Sequence, residues 1–559
     1  MRKALLVTAA IVAAVIFFLL MTLPPRPLAV AAAVDPDLQR RTIAGAYHIH
    51  STRSDGSGDR DAIAAAAARA GLTFIIVTDH GDGMRPPDPP AYLHGVLCID
   101  GVEISTNGGH YVALDMSPAP YPLGGEPSAV VEDVRRLGGF GIAAHPDSPR
   151  PELAWRDWTA AIDGIEWLSA DTEWRNESRP ALARALFDYA WRQGPALASL
   201  LDRPSATLER WDRLAARRPV VGLAGHDAHG GIGRGMEEGG SRRSAMGGIP
   251  SYEASFRSFS TRAVLDRPLD SAASVAGRQV LDAIEKGRTF TVIDALATPG
   301  FVDLRGWQAG GRPSEMGSTL PAAPSVIAIN ASMPAGAEIV VVGNGGEFKR
   351  TRDAHLEAPV EPAGGGFRVE VRVPKAPGVP PVPWLVTNPI YFLTPREGPV
   401  PARADTEVIP LPADVTWHVE KDPASSGTLR ASGSEMTLDY TLRPGDRASQ
   451  FVAIVANLQM HEPQVSRIRL TASAPRPGRF SIQLRYPQGG GERWGKSVYV
   501  DSTPREVVVA IEDMQPADRQ SGHAPDLTSA GALLFVVDLT NAHPGDSNSI
   551  HIGNVRFGR

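Results

Sequence analysis

Lysine is almost absent from the first half of this 559-residue chain, with none between Lys3 and Lys286. A metal bridge built on a carbamylated lysine is therefore excluded from that stretch. Cysteine is scarcer still. Cys98 is the only one, which rules out an intramolecular disulfide and any thiolate-held metal cluster. It stands in the apolar run Gly95–Ile99 and is read as a small core residue. No basic run occurs and the formal net charge is -6, so nucleic acid is not an expected partner.

The composition is that of a folded protein, with 43% hydrophobic and 21% charged residues. The length suggests about three domains. Arg2 and Lys3 precede an uncharged apolar stretch from Ala4 to Leu23. Such a stretch, rising about 1.5 Å per residue, just covers a hydrocarbon core of roughly 30 Å. The flanking charges place the downstream chain outside the cytoplasm. Ala31-Ala32-Ala33 offers a cleavage site, yet the apolar run is longer than a usual leader core. Residues 1–33 are thus read as a signal anchor or signal peptide, with retention favoured. The remainder is expected to be membrane-anchored or secreted, and extracytoplasmic (periplasmic).

Strand-like runs then alternate with helical patterns. Ala44–His50, Thr73–Thr78, Leu97–Ile104, Tyr111–Leu114, Gly141–Ala144, Gly164–Leu168 and Val220–Ala224 read as strands. Arg60–Ala70, Ser128–Leu137, Pro180–Arg192 and Thr207–Arg217 read as helices between them. This alternation predicts an α/β domain over 40–290 with a largely parallel sheet. Short strands bounded by glycine and proline predict a sandwich over 291–396, and a proline-rich linker follows at 397–412. Eight alternating segments then predict a jelly-roll sandwich over 413–559.

The chemistry-bearing residues fall at particular places in that pattern. His48 and His50, Asp79 and His80, His145, and Asp227 and His229 stand at or just past strand C-terminal ends. Those ends share one mouth in a β/α barrel. Asp55, Glu103 and His110 join them, and imidazole with carboxylate suits Zn, Mn or Fe. Two or three ions about 3.5–4 Å apart would activate water for hydrolysis.

The motifs Tyr47-His48-Ile49-His50-Ser51-Thr52-Arg53-Ser54-Asp55-Gly56, Thr78-Asp79-His80, His145-Pro146 and Gly225-His226-Asp227-Ala228-His229 resemble the polymerase-and-histidinol-phosphatase (PHP) family. The resemblance covers residues 44–230 and implies a distorted (β/α)7 barrel. It gives His48, His50, Glu103 and Asp227 to a first metal, and Asp55, His80 and His229 to a second. Glu103 would bridge to a third held with His110 and His145. Asp79 is expected to orient a histidine rather than to bind metal. The segment Ile249–Arg257 and the ending Asn388-Pro389-Ile390-Tyr391 resemble the carbaryl-hydrolase-like branch. The C-terminal part resembles galactose-binding-like or carbohydrate-binding modules.

The expected activity is metal-dependent hydrolysis, phosphoester cleavage first, with Asp227 also accepting a proton. Carbamate or carboxyl-ester hydrolysis by the same metals is the runner-up. An envelope glycan-binding protein with a metal-stabilised, catalytically silent barrel is the third reading. A small phosphoester or ester, a glycan on the C-terminal sandwich and the membrane are the expected partners. Arg234, in a glycine-rich loop, is named as a phosphate clamp, although solvation is the default role of an arginine. Arg242 and Arg243 lie on the same loop. His226 is expected to point away from the mouth, His94 to be solvated, and Glu166 either to line the pocket or to be a buried strand residue. Trp417, Tyr486, Trp494 and Tyr499 are read as sandwich-core residues.

Overall fold

The computed structural model describes residues 2–31, 34–231, 248–308, 310–361, 364–394, 407–411, 415–445, 449–458, 465–487, 491–517 and 525–559. The chain is mixed α/β in its first half and built from β-sheets in its second. Arg234, Arg242 and Arg243 lie outside the described residues. So does most of the expected linker 397–412, although Val408–Pro410 pairs with the last strand, Ser547–Gly558.

Seven strands position the site: β1 (Thr42–Ala46), β2 (Phe74–Val77), β3 (Val102–Thr106), β4 (Gly109–Leu114), β5 (Phe140–Ala143), β6 (Gly164–Ser169) and β7 (Val221–Gly225). β1 and β2 are parallel neighbours in one sheet. β3 to β7 form a second sheet in sequence order. Two isolated parallel bridges, His80 with Glu103 and Ile49 with Ala228, link the sheets. The seven strands therefore follow one another around a ring. Both bridges lie among the expected metal ligands.

The sheet is less parallel than expected. β5, β6 and β7 run parallel, but β4 is antiparallel to both β3 and β5. Only Asn107 and Gly108 separate β3 from β4, and a parallel crossover needs about a dozen residues. The single strand expected over Leu97–Ile104 is also two. Val96–Asp100 pairs with β2, and the chain then changes sheets at Gly101, where a Cβ would press on Leu114.

Past the ring, Ser260–Val264 pairs with β1 and Thr289–Val292 pairs with it in turn. Leu385–Thr387 then continues the same sheet from the far side. The segment 291–396 thus shares a sheet and a core with the first part. Trp211, Phe290, Ile327 and Trp384 all lie in that core.

Among the described residues, the C-terminal part forms two six-stranded antiparallel sheets. Strict alternation writes them: Ile468, Leu470 and Ala472 are buried while Arg467, Arg469 and Thr471 are partly exposed. Leu438, Ile468, Ile482 and Phe535 meet in its core. Trp417 and Trp494 pack against this core and Tyr486 lies in it, whereas Tyr499 packs against the first part.

This sandwich docks on the helix Pro127–Arg136. Arg479, with a side chain 1% exposed, meets Asp133 at 2.7 Å. The Arg136 guanidinium lies 3.5 Å over the Tyr499 ring. Asn541 donates to the Pro122 carbonyl at 2.9 Å, and Lys496 pairs with Glu126.

The N-terminal apolar run is a helix, Arg2–Met21, with side chains described from Leu5 onward. Among the described residues, no helix is long and apolar enough to cross a membrane.

Candidate metal centre

Seven donors come from just past β1, β2, β5 and β7, Glu103 and His110 stand on β3 and β4, and the chain turns sharply past β1, β5 and β7. His48, His145 and Asp227 all have positive φ, at 62°, 29° and 45°. Each such residue costs about 1–3 kcal/mol and persists where the surrounding structure enforces it. The turns swing these side chains inward. The loop from His50 to Asp55 closes on Gly56, where a Cβ would sit on the His50 carbonyl. Glycine is the residue that fits. Asp79 holds this loop by accepting from the Ser51 N–H at 2.7 Å and from the Ser51 and Ser54 hydroxyls at 2.6 and 2.7 Å. Its expected orienting role thus falls on the loop and not on a histidine. Tyr252 adds a clamp from the far side: its hydroxyl donates to the His50 carbonyl at 2.8 Å and accepts from the Ser57 N–H at 3.1 Å.

All nine expected ligands converge. They form four overlapping groups, His48/His50/Asp227, His50/Asp55/His80/His229, His48/Glu103/His145 and His80/Glu103/His110, with donor atoms within 4.8 Å of one another in each. Glu103 stands at the middle. Its Oε2 lies 3.3 Å from His48 Nε2, 3.2 Å from His50 Nε2 and 3.1 Å from His80 Nδ1. Its Oε1 faces His110 Nδ1 at 2.8 Å and His145 Nε2 at 2.9 Å. One carboxylate therefore touches two sets of imidazoles, one with each oxygen. His50 reaches Asp227 through Nε2 at 3.1 Å and Asp55 through Nδ1 at 3.4 Å. The shorter contacts place its Nε2 with His48, Glu103 and Asp227.

Ring orientation is fixed from outside. His48 Nδ1 lies 2.6 Å from Glu166 Oε1, which leaves Nε2 facing inward. His229 Nδ1 faces the Asp227 carbonyl at 2.9 Å, and its Nε2 faces Asp55 at 3.2 Å. Glu166 also accepts from the His145 N–H at 2.8 Å. Gly225 makes room for it, since a Cβ there would strike the carboxylate. Glu166 stands inside a wholly buried strand, where a carboxylate requires a partner.

Burial and charge work against each other here. Burial lowers the affinity of His50 for a proton, but hydrogen bonds to Asp227 and Glu103 outweigh it and raise its pKa to about 10. His48 is raised as well, against its burial, by Glu166, Glu103 and Asp227. Burial pushes Glu103 and Asp227 up, yet the surrounding histidines hold both well below the usual carboxylate range. Three carboxylates packed among six imidazoles favour positive charge between them, whether protons on the histidines or bound cations.

The donors fit divalent ions on a further observation. His48 Nε2, His50 Nε2 and Glu103 Oε2 are buried, and their close contacts with one another lack the geometry of a hydrogen bond. Orphaned buried polar atoms are costly, and these three point at one another. The centre is closed at this inner end and open at the other, where the Asp55, His80 and His229 side chains are 31%, 35% and 24% exposed.

Other histidines lie elsewhere. His226 is buried facing away, stacked on Phe259 at 4.1 Å with Nε2 toward the Phe259 carbonyl, and burial lowers its pKa to about 4. His94 is exposed beside Asp61. Gly108-Gly109, just before His110, admit neighbouring backbone: a Cβ on Gly109 would strike the Ala154 carbonyl.

No family model matches the chain. An uncharacterized protein of Methanocaldococcus jannaschii is 30% identical over 107 residues, which is 19% of this chain and 62% of that protein. The chain thus spans less than two thirds of that relative. Among solved structures, a two-domain protein of Bacteroides vulgatus described as containing a PHP-like metal-dependent phosphoesterase is 14% identical. It covers 66% of this chain and 99% of its own, at a TM-score of 0.30. A family 11 carbohydrate-binding module of Clostridium thermocellum is 15% identical over 25% of this chain and 87% of its own, at a TM-score of 0.21.

Proposed function

We propose that this chain is an exported, metal-dependent phosphoesterase of the PHP type. Its first part is then a distorted seven-stranded barrel, followed by an Ig-like segment and a jelly-roll sandwich. The observation that carries the reading is Glu103, buried and shared between two sets of imidazoles through its two oxygens. A carboxylate so placed would serve more than one cation, and multinuclear centres suit phosphoester hydrolysis. His48, His50, Glu103 and Asp227 would hold the first ion, Asp55, His80 and His229 the second, and Glu103, His110 and His145 a third. When bound, such ions supply an acidified water and neutralise charge on the phosphoryl oxygens.

The chain's own groups do the rest. Asp227, which lies against His50, would accept a proton from the attacking water. The exposed end, formed by Asp55, His80 and His229, receives the substrate. The closed end keeps water from His48 and Glu103. Arg234, five residues past His229, is kept as a proposed phosphate clamp.

The test uses the full chain loaded with Mn, Zn or Fe, offered a phosphomonoester, a phosphodiester, a carboxyl ester and a carbamate. Glu103→Gln is run beside it. Phosphoester turnover, reduced at least a hundredfold in the variant, supports the reading. Turnover of the carbamate or carboxyl ester alone would overturn it.

A further inference from the structure

We propose that the apolar helix Arg2–Met21 stays on the mature protein and seats in the hydrocarbon of a lipid bilayer, with its exit segment built into the catalytic fold. The inference rests on the exported reading and is independent of what the metal centre hydrolyses. Three observations carry it.

The first is exposure on every side. Leu5, Leu6 and Val7 are 66%, 70% and 60% exposed, and Ile16, Phe17 and Phe18 are 47%, 66% and 65% exposed. Consecutive helical residues point about 100° apart, so each trio faces three directions. A partner protein or a second copy covers one stripe of a helix. Apolar side chains around the whole circumference match a solvent that is apolar on all sides. The described side chains, from Leu5 to Met21, span only about 25 Å, whereas the whole helix of 20 residues spans about 30 Å, the thickness of the hydrocarbon core.

The second is the junction. Leu28–Ala29 forms a parallel strand with Ala297–Thr298. The Leu28 N–H donates to the Leu296 carbonyl at 2.9 Å, and the Val30 N–H donates to the Thr298 carbonyl at 3.0 Å. Val30 and Val34 are buried in the core shared by the first and second parts. Cleavage at Ala31-Ala32-Ala33 would remove this strand and Val30, and would strip those two carbonyls of their partners. A leader destined for removal has no reason to fill the core of the mature fold.

The third is the clamp at the end of the helix. Arg184 donates to the Leu19 carbonyl at 3.3 Å and to the Thr22 carbonyl at 2.7 Å. Arg192 donates to the Pro24 carbonyl. These carbonyls lie at or just past the helix C-terminus, where a cation is favoured. Trp191, beside Arg192, is 58% exposed. Tryptophan is enriched at the membrane–water interface, and arginine also anchors there.

The test expresses the full chain in a bacterium and asks two questions. The intact mass of the membrane-associated protein should include residues 1–33. The protein should resist high salt and alkaline carbonate and should leave the membrane only with detergent. A mature mass that starts beyond Ala31, or release by salt alone, would overturn the proposal. Separately, Val30→Asp should lower the melting temperature of the detergent-purified chain by about 5 °C, because it places a charge in the shared core. An unchanged melting temperature would show that the junction is not built in. Neither measurement reads turnover, so the phosphoesterase reading can fail while this one stands.

Discussion

Glu166 Oε1 and His48 Nδ1 lie 2.6 Å apart in a fully buried pair, and the same carboxylate's second oxygen receives the His145 N–H. One residue thus sets the tautomer of one expected ligand and the backbone of another. Carboxylates that orient metal-bound histidines typically contribute 10–100-fold in affinity. Glu166→Gln is expected to weaken binding of the tightest Zn or Mn ion by about that factor, read by competition with a chelator. Gly225→Ala should reproduce the loss, because its Cβ would displace the same carboxylate.

Metal binding should release protons at neutral pH. His50 has a pKa raised to about 10, and His48 is raised as well, because Glu103 and Asp227 favour the charged imidazoles over the cost of burial. A divalent ion needs neutral imidazole. Apparent affinity should therefore rise with pH from 6 toward 10 as these protons are lost more easily. Calorimetry at pH 7 in buffers of different ionisation enthalpy should show more than one proton released per chain. No dependence on buffer would mean that the histidines are already neutral in the free protein.

The nine donors that converge were legible in the sequence because their types are conspicuous and six of them stand where an apolar run ends. The C-terminal strands were legible through alternation such as Arg467–Ser473. Glu166 was not, since its partner His48 is 118 residues away and nothing local distinguishes a buried orienting carboxylate from a strand residue. The break between Val96–Asp100 and β3 was hidden because Leu97 to Ile104 reads as one strand, with Gly101 to mark the change of sheet. The continuous sheet through Thr289–Val292 and Leu385–Thr387 depends on a pairing between distant segments. Such pairings leave no periodic trace.

The docking of the C-terminal sandwich yields a stability prediction. Arg479 Nε lies 2.8 Å from Asp133 Oδ2, and Nη2 lies 2.7 Å from both Asp133 Oδ1 and Glu132. Removing one partner of a buried ion pair costs about 3–5 kcal/mol, because the other charge stays buried alone. Asp133→Ala should lower stability toward that range, read by chemical denaturation of the full chain. Replacing both partners, Asp133→Leu with Arg479→Met, should recover much of the loss. Stability equal to the parent in the single variant would mean that Glu132 alone suffices.

Glu173 sets a pH dependence outside the metal centre. It is 2% exposed, and its Oε2 accepts from the Asp202 N–H at 2.9 Å. Burial, reinforced by the charges of Asp202 and Asp147, outweighs that hydrogen bond and pushes its pKa up from 4.5 to about 8. In the unfolded chain it regains its ordinary value. Between pH 4.5 and about 8 the folded protein thus keeps a proton that the unfolded chain has lost. Stability must fall as pH rises through that window and should level off above it. Glu173→Gln keeps an acceptor for the Asp202 N–H and removes the titration. The variant should match the parent near pH 4.5 and melt a few degrees higher at pH 8.5. Parallel melting curves across the whole range would instead mean that Glu173 is already ionised in the folded protein, its charge carried by the Asp202 N–H and by cations drawn to Asp147.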